Sequence, residues 1–129
     1  YKEQFRVCHN FGVNTARFSP DQTFLVAGAC HAKHVAWQLP SLTRFELPAP
    51  REFTFATASG EFANDMREIE FLGDGEHFAT IVRGHALFWN RHFASTGVAP
   101  NASSIRFYEG AKYALIAGDR DLKLCRREA

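Results

Sequence analysis

Cysteine is scarce in this sequence and is not arranged in pairs. Cys8, Cys30 and Cys125 are the three in 129 residues, odd in number and far apart. A small secreted domain stapled by disulfides carries an even set at close spacing. That class is argued against, and an intracellular setting, cytoplasm or nucleus, is expected instead. Charge of one sign is also lacking: 15 Lys and Arg face 14 Asp and Glu, for a formal net charge of +1. No strong field therefore draws in nucleic acid or an acidic membrane surface. No apolar run approaches the ~20 residues of a membrane-spanning helix. "YKEQFRVC" at the start has neither the basic nor the apolar segment of a signal peptide. The first residue is Tyr1 instead of Met, which raises the expectation of a processed product or a segment of a longer polypeptide.

Phenylalanine is plentiful, at 13 residues. Together with β-branched residues it favours pleated, half-buried surfaces, so an all-β chain is expected. The length suits one domain spanning residues 1–129.

The strands repeat. Three windows align on their first aromatic: "ARFSPDQTFLVAGACHAKHVAWQL" from Ala16, "IEFLGDGEHFATIVRGHALFWNR" from Ile69 and "IRFYEGAKYALIAGDRDLKLCRR" from Ile105. In each, a short strand ends on Phe18, Phe71 or Phe107, and a turn follows: "SPDQT", "LGDGEH" or "YEGAK". Pro presets φ and Gly permits φ > 0, so these are turns with a mechanism. A second strand comes next, "FLVAGAC", "FATIVRG" or "YALIAGD", apolar enough to be expected buried on both faces. Third strands fall in the windows 31–39, 83–91 and 119–127, whose seventh places hold Trp37, Trp89 and Cys125. The gaps from first Phe to window start are 13, 12 and 12 residues. Fourth strands are expected at "LTRFEL" (42–47) and, more weakly, "HFAST" (92–96). "QFRVC" (4–8) is expected to be an outer strand of a neighbouring unit.

A four-stranded repeat of this length closing on Trp resembles the WD-repeat β-propeller family, across about residues 4–127. His9, Val13 and "ARFSPD" are similar to the family's His, Val and Phe-Ser-Pro-Asp. The resemblance implies a network of His, turn Asp, Ser or Thr, and Trp inside each blade. His9, Trp37, Trp89 and Asp119 would be its structural members here. His31 and Arg83 replace the turn Asp in the first two copies, and Cys125 replaces the third Trp, where a small buried hydrophobe is expected. The expected fold is a partial propeller of about three four-stranded antiparallel blades, with copies at approximately 9–47, 65–96 and 101–127.

Propellers close with about four to eight blades. Three blades left open show apolar end faces to water. Completion is expected from more of the same polypeptide, from a second copy in a six-bladed two-fold ring, or from a different chain. A compact β-sandwich that imitates the repeat is the remaining reading.

Chemistry is thinly represented. Cys30, His31 and His34 lack the second Cys/His pair of a zinc site and read as polar residues of a turn. His85 and His92 flank a strand and need not converge. "GDGE" lacks the Lys and Ser/Thr of a phosphate loop, and no Ser stands in a Gly-x-Ser-x-Gly elbow. Asp21 and Asp74 fall in turns, where side-chain-to-backbone hydrogen bonds account for them. No enzyme, cofactor or metal is expected. The "WQLP" and "WNRH" segments depart from the Trp-Asp-x-Arg of the family's ubiquitin-ligase adaptors. A protein-protein interaction scaffold is the expected function. The alternative is an RNA-contacting component of a ribonucleoprotein, in which aromatics stack on bases. By the resemblance, the binding loops hold Asn10, Phe11 and Lys33 in the first copy, Asp65 and His85 in the second, and Asn101 and Arg120 in the third. The connector "LPAPREFTFATASGEFAND" (47–65) reads as an excursion in which Phe53 and Phe55 anchor a partner or strap a blade.

Overall fold

The computed structural model describes residues 2–3, 13–29, 34–57, 60–63, 65–73, 75–110 and 112–126. The first sheet runs β1 (Val13–Phe18), β2 (Phe24–Ala29), β3 (Val35–Gln38) and β4 (Thr43–Glu46), each strand antiparallel to the next. The connector is structured: a single 3-10 turn at Arg51–Phe53 leads into the hairpin β5 (Thr54–Thr57) and β6 (Gly60–Ala63). A second four-stranded sheet follows from β7 (Met66–Phe71), β8 (His77–Val82), β9 (His85–Asn90) and β10 (Ser95–Ala99). The third sheet has three strands, β11 (Ser104–Tyr108), β12 (Tyr113–Ala117) and β13 (Leu122–Arg126). This is the expected all-β partial propeller. "QFRVC" (4–8), expected as an outer strand, lies outside the described residues.

Local chemistry sets the turns. Between β1 and β2, the Ser19 hydroxyl accepts from the Thr23 and Phe24 amides and donates to Asp21. Between β8 and β9, Arg83 and Gly84 both have positive φ (51° and 72°). That is what a two-residue hairpin turn matched to the strands' twist requires. The fourth strand of the second sheet begins three residues later than the "HFAST" reading. Asn90 caps the turn, its Oδ1 accepting from the His92 and Ala94 amides, and Phe93 at φ 62° turns into the core.

The sheets stack face to face with β1 and β11 both packed along β7. Alternation along each strand divides the residues between faces. Phe24, Val26 and Ala36 of the first sheet meet Met66, Phe78, Leu87 and Trp89 of the second. Ala79, Ile81 and Ala86 on the second sheet's other face meet Ile105 and Ile116 of the third. Phe53 is buried in the first of these cores and its ring lies 5.0 Å from that of His85, so it straps the blade from the connector. The two-faced burial expected of the second strands holds for β2 from Val26 to Gly28 and for β8 from Phe78 to Val82. It fails for β12, where Leu115 is 38% exposed, because the described residues place no sheet beyond it.

Candidate interaction surfaces

Register places Asp65, His85, Asn101 and Arg120, the described members of the expected binding loops, at one end of the second and third sheets. Asp65 precedes β7, His85 begins β9, Asn101 lies between β10 and β11, and Arg120 lies between β12 and β13. The Ala102 amide donates to the Gly84 carbonyl at 2.7 Å, which joins the turn beside His85 to the segment holding Asn101. Asn101 in turn holds the β12–β13 turn: its Nδ2 donates to Asp121 Oδ1 at 3.1 Å, and its Oδ1 accepts from the Asp119 amide at 3.2 Å. Asp119, Arg120 and Asn101 are exposed, and Asp65 forms an ion pair with Arg67 at 3.8 Å. Asn10, Phe11, Lys33 and His9 lie outside the described residues.

Of the network implied by the resemblance, the Trp-to-hydroxyl link is present in the second sheet. Trp89 Nε1 donates to Thr80 Oγ1 at 2.9 Å, both fully buried. Trp37 is buried with Ala27 and Val35 on the face of the first sheet turned away from the second. In the third sheet Cys125 takes the Trp place, opposite Ala114 as Trp89 is opposite Phe78. It is exposed instead of buried, which corrects the expectation of a buried hydrophobe. It lines a cleft of about 400 Å³ between the second and third sheets.

The innermost strands are joined by charge. Arg17 on β1 reaches Glu70 on β7 at 3.3 Å, and Arg106 on β11 pairs with both Glu68 and Glu70 of β7. The hydrogen bond that Arg106 donates to the Glu68 carboxylate, reinforced by that group's negative charge, holds the guanidinium even more firmly protonated. Among the described residues no three His, Cys, Asp or Glu side chains are grouped to hold a metal ion. No helix among them is long and apolar enough to cross a membrane.

The two ends of the stack carry exposed apolar groups at places that are covered inside it. Leu122 and Leu124 occupy in β13 the places of Ala86 and Phe88 in β9, which pack against the third sheet. At the end of the stack they are 66% and 64% exposed. At the other end Phe18, the counterpart of the half-buried Phe71 and Phe107, is 59% exposed.

No family model matches the chain, and no curated protein matches it in sequence. Its fold is similar to a solved structure titled as the crystal structure of RRP9 WD40 repeats, with a TM-score of 0.68 at 15% identity. The likeness covers 93% of this chain, which spans 37% of the length of that one.

Proposed function

We propose that this chain is a non-enzymatic protein-interaction scaffold, a WD-repeat-like propeller segment that is finished by further protein. The observation that carries this reading is the outer face of the third sheet. There Leu122 and Leu124 stand where Ala86 and Phe88 are packed against a neighbouring blade. Fully burying a leucine contributes about 1.5–3 kcal/mol, so a face with two such residues and Leu115 favours a covering layer. The remaining blades of a longer polypeptide suit that layer in shape, since they would continue the same stacking. The fold likeness to WD40 repeats, of which this chain spans just over a third, supports a larger ring.

A photo-crosslinking amino acid at position 124 tests this in the native protein, with exposed Ser41 as the control position. Adducts at 124 and not at 41 are expected, joining it to residues outside 1–129 or to another protein. An adduct between two copies would identify the six-bladed ring of two subunits. Labelling at 124 no higher than at 41 overturns the reading.

A further inference from the structure

Among the described residues, the two four-stranded sheets end at the rim on β4 and β10, which are exposed along nearly their whole length. A strand in that position offers unpaired N–H and C=O groups, and proteins ordinarily guard it with charge, proline or a bulge. The β4 sequence "TRFE" has such a guard, since Arg44 and Glu46 form an ion pair at 3.2 Å. The β10 sequence "STGVA" holds no charge and no proline. Its bulge falls between Ser95 and Gly97, at the start of the strand. Beyond it, Gly97, Val98 and Ala99 run in unbroken register with Phe88, Leu87 and Ala86. Val98 is 43% exposed. Charge stands past the two ends. Lys123 Nζ donates to the Pro100 carbonyl at 3.4 Å, just after the strand. Before the strand, in the β9–β10 turn, Arg91 is held between Asp21 and Glu76 at 3.7 and 3.3 Å, two carboxylates against one guanidinium.

We propose that the outer edge of β10 receives an extended segment of a partner protein as a fifth antiparallel strand, acidic at its N-terminal end, β-branched opposite Val98 and basic at its C-terminal end. The inference deepens the scaffold reading and rests on it in one respect, that the chain binds polypeptide. Antiparallel pairing sets the N-terminal end of the segment beside Lys123 and its C-terminal end beside the Asp21–Arg91–Glu76 cluster. The charges at the rim thus select both direction and composition. Val98 supplies the apolar half of a cross-strand pair. A strand bound this way takes affinity from the backbone ladder and specificity from alternate side chains. Further blades of a ring do not supply this strand. They would stack on the outer faces of the first and third sheets, whereas β10 closes a sheet that already has four strands. A second copy fits less well than a slender segment. Two β10 strands of five residues would meet along about 17 Å. That contact buries on the order of a few hundred Å², against the ~1,200 Å² or more of a stable protein pair.

The test uses the 129-residue chain and the synthetic peptide acetyl-Asp-Thr-Val-Thr-Val-Lys-amide, with binding followed by isothermal titration calorimetry. Binding of one peptide per chain is expected. Alternate residues of a strand turn their N–H groups to opposite sides. Methylating the amides of the two valines, and separately those of the two threonines, should therefore abolish binding in one case and spare it in the other. Exchanging the terminal Asp and Lys of the peptide should weaken binding about threefold to tenfold. Neither result depends on how a protein variant folds. Val98→Lys places a guard charge on the edge and should weaken binding about tenfold. No binding, equal effects of the two methylations, or indifference to the charge exchange overturns the proposal. Hydrogen exchange in the native protein without peptide should find the outward-facing amides of β10 unprotected. Protection that rises with protein concentration makes a second copy the occupant, and concentration-independent protection makes it the protein's own chain; either overturns the proposal. Val98 lies at the rim of the second sheet and Leu124 on the outer face of the third, so crosslinking at 124 reports on the scaffold reading separately from this outcome.

Discussion

Thr80 is the acceptor on which the buried indole of Trp89 depends. Thr80→Val keeps the shape and removes the oxygen, leaving a buried N–H without its partner, and should cost about 1–3 kcal/mol in urea unfolding. In a Trp89→Phe background the donor is gone, so the same change should cost markedly less. Gly28 meets a steric limit of a different kind: a Cβ there would collide with the Cβ, Cγ and Sδ of the fully buried Met66 on the facing sheet. Gly28→Ala is expected to destabilise by about 1–3 kcal/mol, with part of the loss recovered when Met66 is shortened to Ala. Both tryptophans were legible in the sequence because their spacing recurs. Thr80 was not, because within "FATIVRG" a threonine reads as one more β-branched filler. At the β12–β13 turn, position in the repeat pointed to Asp119. The carboxylate that Asn101 contacts belongs to Asp121, two residues on, and no spacing rule distinguishes the two.

Turns decide where the strands begin, and they were the less legible part of the elements. The β1–β2 turn is the clearest case of one the sequence did reveal. Asp21 is held below the usual carboxylate range chiefly by the Thr23 hydroxyl, then by the Ser19 hydroxyl and the Thr23 amide. A depressed folded-state pKa gives stability that is present above about pH 4 and is lost as pH falls through the lower folded value. Asp21→Asn should therefore flatten the acid arm of a stability-against-pH curve, lowering stability at neutral pH and converging with the parent chain in acid. The displaced β10 shows what pattern reading lacks. "HFAST" alternates well enough for a strand, but Phe93 is drawn into the turn, with its ring 5.4 Å from Phe24 and 5.5 Å from Phe45 of the first sheet. That contact crosses between blades and is invisible to a local window. Phe93→Ala removes a ring shared by two sheets and should cost about 3 kcal/mol, at the lower end for phenylalanine because the residue is only half-buried. Thermal unfolding checks it. The β5–β6 hairpin was hidden for a related reason: the Pro pair and small residues before and within it suggested an excursion and gave no strand pattern of their own.

At the scale of the molecule, two kinds of contact respond oppositely to salt. The Arg17–Glu70 and Arg106–Glu68 pairs that join the inner strands are formed by partly exposed groups. Such pairs contribute about 0–1 kcal/mol each, and at about 1 M salt the screening length falls to about 3 Å. The end faces are apolar, and sulfate, being excluded from protein surface, strengthens their burial. Association of the chain through Leu122 and Leu124 should therefore survive sodium chloride and tighten in ammonium sulfate, as followed by sedimentation velocity. Leu122→Glu with Leu124→Glu removes two leucines from the contact, and at about 1.5 kcal/mol or more apiece the association should weaken about a hundredfold or more. An RNA-contacting surface predicts the reverse, a steep loss of binding between low and moderate salt from displaced counterions. That the stack would be left with apolar ends followed from counting repeats. Which residues form those ends did not, because Leu122 and Leu124 read as ordinary alternation until register sets them at the places of Ala86 and Phe88. A salt series on the parent chain and the double variant thus weighs an apolar joint between blades against an electrostatic one, with opposite slopes expected.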